Sequence, residues 1–252
     1  MISGMYQAAN GLMAQSLRLE VLTNNLANSD TPGFKEDLLA VMATTGGVAP
    51  SATPLEVVRP AGGAADSAPI TLVGRQVTDH RPGILKRTEN AFDLALPGEG
   101  YFVVETPQGP RYTRAGNFTL NAEGYLTTLG GHRVQGTNGP IKPNREGFVV
   151  DDRGRILDKG REVDSLRIVV PERLTDLTKE GYNLFQLAEG KSVRQIEQPA
   201  VRQSFLESSN VNVIQTMADM IAVLRTYEAH QRTIQSMDNA MRQANEDLGR
   251  VA

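Results

Sequence analysis

The residue types that most often carry catalysis or metal binding are sparse and widely separated in this chain of 252 residues. The three histidines, His80, His132 and His230, stand far apart, with no second histidine at metal-ligand spacing. Glu89 and Asp93 offer a pair of carboxyl groups, as a glycosidase needs, but any chain of this size contains such pairs. We therefore expect no catalytic residue, no metal site and no cofactor, and we interpret the protein as a non-enzyme.

Two short segments have some features of ligand-binding loops. Gly98-Glu99-Gly100 lacks the third glycine and the following helix of a nucleotide-binding loop. Asp151 and Asp152, which precede a glycine by three and two residues, lack the alternating ligands of a calcium loop. Both segments are better interpreted as turns.

Composition excludes several classes of function. The formal net charge is −3 and the basic residues form no run, which argues against a nucleic-acid partner. No segment is apolar for 18 residues, so we expect no direct membrane insertion. The first basic residue is Arg18, and no short apolar stretch follows a charged start, so we expect no cleavable signal peptide. The chain has no cysteine, so it forms no disulfide.

The elements that must position any functional surface are heptad repeats at the two ends of the chain. A 3–4 spacing of apolar residues keeps one side of a helix facing a partner helix. The residues predicted to form an assembly interface are Met5, Leu12, Leu19 and Leu26 near the N-terminus, with Met217, Met220, Leu224, Tyr227, Ile234 and Met241 near the C-terminus.

An amphipathic helix usually packs on its own domain, so that alternative stays open. The length of the helices and the polar residues Gln231, Asp238 and Asn245 within the repeat favour assembly between chains.

The fold class predicted is α+β. Long N- and C-terminal helices would pair as a coiled-coil-like domain, and a central glycine-rich region would form an antiparallel β domain. The predicted organisation is an N-terminal helix and motif (1–35), an Ala/Gly/Pro-rich linker (36–69), a central β domain (70–205) and a C-terminal helix (206–252). Candidate strands cover residues 84–87, 92–96, 101–105, 111–114, 125–128, 148–150, 166–170 and 184–187, with a hairpin turn at 121–124.

Four sequence blocks, in the right order, resemble the signatures of the bacterial flagellar rod and hook proteins. The first is Asn-Asn-Leu-Ala-Asn-Ser-Asp-Thr-Pro-Gly-Phe-Lys at 24–35. The middle blocks are Asn-Ala-Phe-Asp-Leu-Ala-Leu at 90–96 and Tyr-Thr-Arg-Ala-Gly-Asn-Phe at 112–118. The last combines Leu-Glu-Ser-Ser-Asn-Val at 206–211 with Arg-Thr-Tyr-Glu at 225–228. One departure is Ser204, where the family more often has glycine, and it puts the local turn in doubt.

The resemblance implies a structural subunit of the flagellar basal-body rod, which spans the periplasm. Such subunits assemble helically through their terminal helices with copies of themselves and with other rod subunits, and they transmit motor torque. They leave the cell through the flagellar type III export apparatus without a cleavable signal peptide. The motif residues Asn24, Asn25, Asn28, Thr31, Pro32, Gly33 and Phe34 would set the bend that follows the first helix.

Length and one segment separate the branches of this family. The hook protein is usually larger, whereas the proximal-rod and distal-rod proteins are close to this size. The Ala/Gly/Pro-rich stretch after Lys35 favours the proximal-rod branch. The alternatives are the distal-rod branch and, outside the family, a soluble protein whose β domain binds or cleaves a glycan.

Overall fold

The computed structural model describes residues 2–44, 71–143, 148–158 and 160–251. In these residues two long helices enclose, in sequence, a series of short antiparallel strands, so the fold class is α+β. Helix α1 covers Ile2–Ala27 and helix α2 covers Val213–Val251. A short 3-10 helix covers Leu174–Asp176. α2 has neither glycine nor proline before Gly249, so no residue of its long interior interrupts it.

Most of the described strands are only two to five residues long. They are β1 Asp37–Thr44, β2 Thr71–Thr78, β3 Leu85–Arg87, β4 Leu94–Ala95, β5 Tyr101–Thr106, β6 Gly109–Thr113, β7 Thr119–Leu120, β8 Leu126–Thr127, β9 Arg133–Val134, β10 Val149–Val150, β11 Arg155–Asp158, β12 Arg161–Ser165, β13 Ile168–Pro171, β14 Leu177–Gly181, β15 Leu184–Leu187, β16 Val193–Gln195, β17 Arg202–Gln203 and β18 Phe205–Glu207.

The largest sheet follows the order β14-β15-β6-β5-β9-β8-β7, and β13 pairs with both β5 and β16. Smaller sheets join β10, β11 and β12, β17 with β4, β18 with β3, and β1 with β2. The hairpin between β7 and β8 turns where the sequence predicts it. Its register pairs Thr119 with Thr127, and the Gly124 N–H donates to the Asn121 carbonyl at 3.0 Å.

Strand β5 lies at the centre of the core because both of its faces are buried. Side chains alternate along a strand, so Phe102 and Val104 point to one apolar cluster while Tyr101 and Val103 point to another. The first cluster is the larger and includes Val201, which comes from the far end of the β region.

The chain divides into two compact units. The helical unit contains Met1–Asn24, Asp37–Val77 and Ile214–Ala252, and the β unit contains Asn25–Glu36 and Thr78–Val213. The chain therefore passes between the units four times.

The structure differs from the predicted linker at its beginning. Residues 37–44 form β1, which pairs with β2. The run Leu38-Leu39-Ala40-Val41-Met42 is apolar enough to support a strand, and a distant partner strand satisfies its backbone. The rest of the predicted linker, residues 45–69, lies outside the described residues.

Candidate functional site

Helix α2 has one partly buried face that runs along most of its described length. Of the predicted interface residues, Met220, Tyr227, Ile234 and Met241 lie on this face at half-buried positions. Thr216 and Val223 are its most buried members, and neither is among the predicted interface residues. Because the heptad pattern was assigned to Met217 and Leu224, the positions one residue earlier were overlooked. A threonine is also a weak apolar signal.

A second apolar stripe on α2 faces solvent. Ile214, Met217, Ile221 and Leu224 follow a 3–4–3 spacing and are 82%, 49%, 53% and 37% exposed. Two predicted interface residues, Met217 and Leu224, therefore lie on this outer stripe and not on the partly buried face. The stripe ends after Leu224, because the positions that continue it, Glu228 and Gln231, are polar.

Helix α1 carries a similar division of its apolar residues. Leu12, Leu19 and Leu26 are half-buried, and Ala8 is buried. Met13 and Leu17 are exposed. The side chain of Met5 lies outside the described residues.

The two helices approach closely at Gly11. A Cβ atom at Gly11 would lie only 2.9 Å from Cε1 of His230, so the absence of a side chain there makes room for the imidazole. His230 is thus a packing residue of the helical unit.

The motif that follows α1 folds as three successive turns. The N–H groups of Asn28, Thr31 and Phe34 donate to the carbonyls three residues earlier, at 3.2, 3.1 and 3.2 Å. Asn25 and Phe34 are buried, and the Thr31 hydroxyl donates to the side-chain oxygen of Asn28 at 3.3 Å. The next residue after these turns, Lys35, is directed into the β unit.

Gly33 is a point of especially close contact between the motif and the rest of the β unit. Its φ of +68° lies in the left-handed region, and a Cβ atom there would lie 2.4 Å from the backbone nitrogen of Ala115. Its N–H donates to the Glu207 carbonyl at 2.7 Å. Glycine is required here both by the backbone angle and by the close approach.

A buried ion cluster lies beside this turn. Lys35 Nζ is 2.5 Å from Glu207 Oε1, and Arg114 Nη1 is 3.2 Å from Glu207 Oε2. The three side chains are 0%, 1% and 5% exposed for Lys35, Glu207 and Arg114. Burial lowers the pKa of Lys35, since desolvation disfavours its charged form more than the Glu207 carboxylate supports it.

Backbone groups complete the hydrogen bonding of this cluster. Glu207 Oε1 also accepts from the Gly83 N–H at 2.9 Å, and Lys35 Nζ donates to the Arg81 carbonyl at 2.7 Å. Arg114 donates to the carbonyls of Leu96 and Gly98 at 3.2 and 2.7 Å. Such additional bonds are what allow buried charges to persist.

Asn210 ties together the same region of the β unit. Its side-chain oxygen accepts from the Glu36 N–H at 2.7 Å, and its amide donates to the carbonyls of Asp79 and Arg81 at 2.9 and 3.2 Å. One side chain thus connects three segments of the β unit, each of which lies within a few residues of a point where the chain crosses from one unit to the other. We call the region built by Gly33, Lys35, Arg114, Glu207 and Asn210 the motif junction.

An aromatic group borders the motif junction. The His80 Nδ1 and the Tyr101 hydroxyl are 2.6 Å apart, and the His80 ring lies 5.4 Å from that of Phe185. Burial, together with the nearby Lys35 and Lys179 charges, lowers the pKa of His80 to about 4. Burial also raises the pKa of Tyr101. His80 is therefore a neutral packing residue at physiological pH.

The β14–β15 hairpin also contacts the motif. Lys179 Nζ lies 3.9 Å from the centre of the Phe34 ring and donates to the Lys35 carbonyl. Asn183 donates to the Pro32 carbonyl at 2.8 Å. The motif residues are thus bound by distant parts of the β unit.

Lys35, Arg114 and Glu207 lie inside three different motif blocks, but none of them was predicted to have a role of its own. Charged residues next to apolar ones, at the edge of otherwise structural motifs, were the available signal. No group of three or more His, Asp or Glu side chains in the part of the chain that the structure describes is placed to hold a metal ion. Among the helices whose residues are described, none combines the length and apolar character that crossing a membrane requires.

These features define an α+β protein in which two long terminal helices with apolar faces are joined along the chain to an antiparallel β unit. The best-organised polar cluster of the β unit is buried. Residues 5–35 match the family described as "Flagella basal body rod protein". Residues 95–182 match "Flagellar hook protein FlgE/F/G D1 domain", and residues 202–247 match "Flagellar basal body rod FlgEFG protein C-terminal".

Full-length relatives agree with these matches. The flagellar basal-body rod protein FlgG of Buchnera aphidicola is 31% identical over 264 residues, which cover 96% of this chain and 98% of the relative. The flagellar basal-body rod protein FlgF of Caulobacter vibrioides is 29% identical over 259 residues and all of both chains. FlgF of Rhizobium meliloti is 30% identical over 261 residues and 99% of both chains. The chain belongs to the flagellar basal-body rod protein family.

Proposed function

We propose that this protein is the proximal-rod subunit, FlgF, of a bacterial flagellar basal body. It assembles helically with copies of itself and with other rod subunits, and it transmits motor torque without catalysing a reaction. Relatives named FlgF and relatives named FlgG match about equally well, so similarity alone does not separate the proximal from the distal rod. The glycine-, alanine- and proline-rich composition that follows β1 supports the proximal-rod assignment.

The observation that best supports assembly is the exposed apolar stripe of α2, here called the outer stripe. Burial of large apolar side chains contributes about 25 cal/mol per Å², so a row of four exposed ones on a single helix face is costly to leave in water. Ile214, Met217, Ile221 and Leu224 form such a row in the single chain. A neighbouring subunit that covers it gains that burial energy, and a contact of this kind that does not close produces a helical assembly.

Pairing of α1 with α2 as a coiled-coil-like domain is the second part of the proposal. The close approach of Gly11 to His230 and the partly buried face with Val223 support it. In this arrangement Met5, Leu12, Leu19 and Leu26 contribute from α1, and Met220, Tyr227, Ile234 and Met241 contribute from α2. Met217 and Leu224 are left for contacts between subunits.

The proposal extends to the path and the partners of the chain. The subunit passes through the flagellar type III export apparatus without a cleavable signal peptide, binds no nucleic acid and inserts into no membrane. Mass spectrometry of the protein from purified basal bodies tests whether a signal peptide is removed. A mass that lacks an N-terminal segment of the encoded chain contradicts export without a cleavable signal peptide.

Leu224→Asp tests the outer stripe. Leu224 is partly exposed, so the isolated variant should fold as the parent does. A charge within the stripe should prevent assembly and stop swimming. The matched control is Ala222→Asp, which adds the same charge at an exposed position outside the stripe. Normal swimming of the Leu224→Asp strain contradicts the stripe as an interface, whereas loss of swimming in both strains shows a general intolerance of charge on α2.

Electron microscopy of basal bodies from a strain that lacks the gene tests the position in the rod. Rods that are missing or stop at the inner-membrane ring support the proximal position. Partial rods that lack only their outer length assign the protein to the distal rod, FlgG. Complete basal bodies in swimming cells contradict both positions and favour the alternative of a soluble protein whose β domain binds or cleaves a glycan.

A further inference from the structure

The last segment of the β unit, residues 201–210, closes over strands formed much earlier in the chain. We call this segment the C-terminal strap. β17 pairs with β4, and β18 pairs with β3. Val201, at the start of the strap, is 1% exposed and belongs to the main apolar cluster. The strap therefore completes both the sheet pairing and the core.

Glu207 brings the counter-charge for two cations that precede it by 93 and 172 residues. In the described ion pairs, Lys35 and Arg114 share this one carboxylate. The strap also delivers the Glu207 carbonyl to the Gly33 N–H and its carboxylate to the Gly83 N–H. Three regions of the β unit thus obtain a polar partner from a single residue near its end.

Without Glu207, the native packing would bury Lys35 and Arg114 without the one carboxylate that both of them contact. Isolated buried charges are disfavoured by far more than the hydrogen bonds to neighbouring carbonyls return. Lys35 and Arg114 should then keep their side chains in water. The N-terminal motif and the segment around Arg114 could then not pack together, because in the folded β unit Gly33 lies directly against Arg114 and Ala115.

We propose that the C-terminal strap is a closing device, and that the β unit reaches its packed state only after Glu207 has joined it. A chain that emerges N-terminus first, from a ribosome or through a narrow channel, stays open until residue 207 is available. The inference concerns the folding of the β unit and does not rest on the proposed function.

Pulsed hydrogen exchange during refolding of the full chain tests this order. Two amides report the central sheet: Gln135 donates to Val103 and Ile141 to Val134. Two report the strap: Gly33 and Gly83 both donate to Glu207. All four should gain protection in one phase. Protection of Gln135 and Ile141 about tenfold or more ahead of Gly33 and Gly83 overturns the proposal.

Glu207→Gln tests whether the Glu207 carboxylate is needed during the folding step itself or only stabilises the folded state. The variant should slow the common phase by about tenfold or more, because the carboxylate is needed when the phase occurs. Glu123→Gln is the control, since Glu123 pairs with Arg133 on the surface at 2.7 Å. A Glu207→Gln chain that refolds at the parental rate overturns the proposal. Should that variant not fold at all, the four amides of the parental chain still decide the order.

Discussion

Lys35 and Glu207 are 172 residues apart in the chain, yet their side chains form a fully buried ion pair of 2.5 Å. Lys35 ends the N-terminal motif, and Glu207 lies in the C-terminal one. The pair therefore joins the two segments that follow α1 and precede α2. Because Arg114 of the central region shares the same carboxylate, the three motif blocks at 24–35, 112–118 and 206–211 meet at this junction.

The two members of the pair should not be equivalent on mutation. Glu207→Gln leaves two buried cations without a carboxylate and should lower the free energy of unfolding by about 3–5 kcal/mol. Lys35→Met leaves the pair of Arg114 with Glu207 intact and should cost clearly less. Urea unfolding followed by tyrosine fluorescence measures both values. Equal losses for the two variants contradict the shared-carboxylate explanation.

Ser204→Gly should stabilise the protein. Ser204 has a φ of +60°, a left-handed angle that costs a side-chain-bearing residue about 1–2 kcal/mol relative to glycine. Its backbone bonds to Asp93 and Thr88 remain available to glycine. We expect a gain of about 1 kcal/mol in the free energy of unfolding. Ser208→Gly, in the same region but at an ordinary φ, should instead lose about 0.5–1 kcal/mol. A loss at both positions contradicts the strain argument.

Gly33→Ala should destabilise the β unit severely. The new Cβ would lie 2.4 Å from two backbone atoms, and the residue would keep a left-handed φ. The combined cost should be about 3 kcal/mol or more. Gly98→Ala is the matched control, because a Cβ there meets nothing within 4 Å. Thermal unfolding of both variants decides the point, and similar melting temperatures would show that the motif turn can relax.

The stability of the β unit should depend on pH through His80. Its pKa is lowered from 6.5 to about 4, first by burial and then by the charges of Lys35 and Lys179, against an opposing effect of Asp79. The unfolded chain takes up a proton near pH 6.5, whereas the folded chain does so only near pH 4. Stability is therefore complete above pH 6.5 and falls as the pH drops towards 4, by about 1.4 kcal/mol per pH unit.

His80→Gln removes this contribution. The free energy of unfolding of the parent minus that of the variant should be constant above pH 7. Between pH 6.5 and 4 it should fall by about 1.4 kcal/mol per pH unit as the pH is lowered. Nuclear magnetic resonance titration of the His80 ring gives the folded pKa directly. A value near 6.5 would show that the imidazole is open to solvent and would contradict the packing described.

The sequence by itself determined the features that depend on local patterns. The 3–4 apolar spacing predicts helices at both ends, and the structure has helices at Ile2–Ala27 and Val213–Val251. Short apolar runs between turn residues predict the antiparallel strands, and Asn121 to Gly124 predicts a hairpin turn that the structure contains. Ser204, which the sequence analysis singled out as a departure at this turn, has a left-handed φ of +60° in the structure.

Only the tertiary structure decided which residues meet across the chain. No local pattern pairs Lys35 with Glu207 or Asn210 with Glu36, because a hydrogen bond or ion pair carries no periodicity. Likewise, β1 became a strand because a partner more than 25 residues away satisfies its backbone. The heptad pattern could not assign Val223 to the buried face and Leu224 to the outer stripe. Adjacent helix positions lie only about 100° apart, so what each one packs against depends on the neighbouring element rather than on its own spacing.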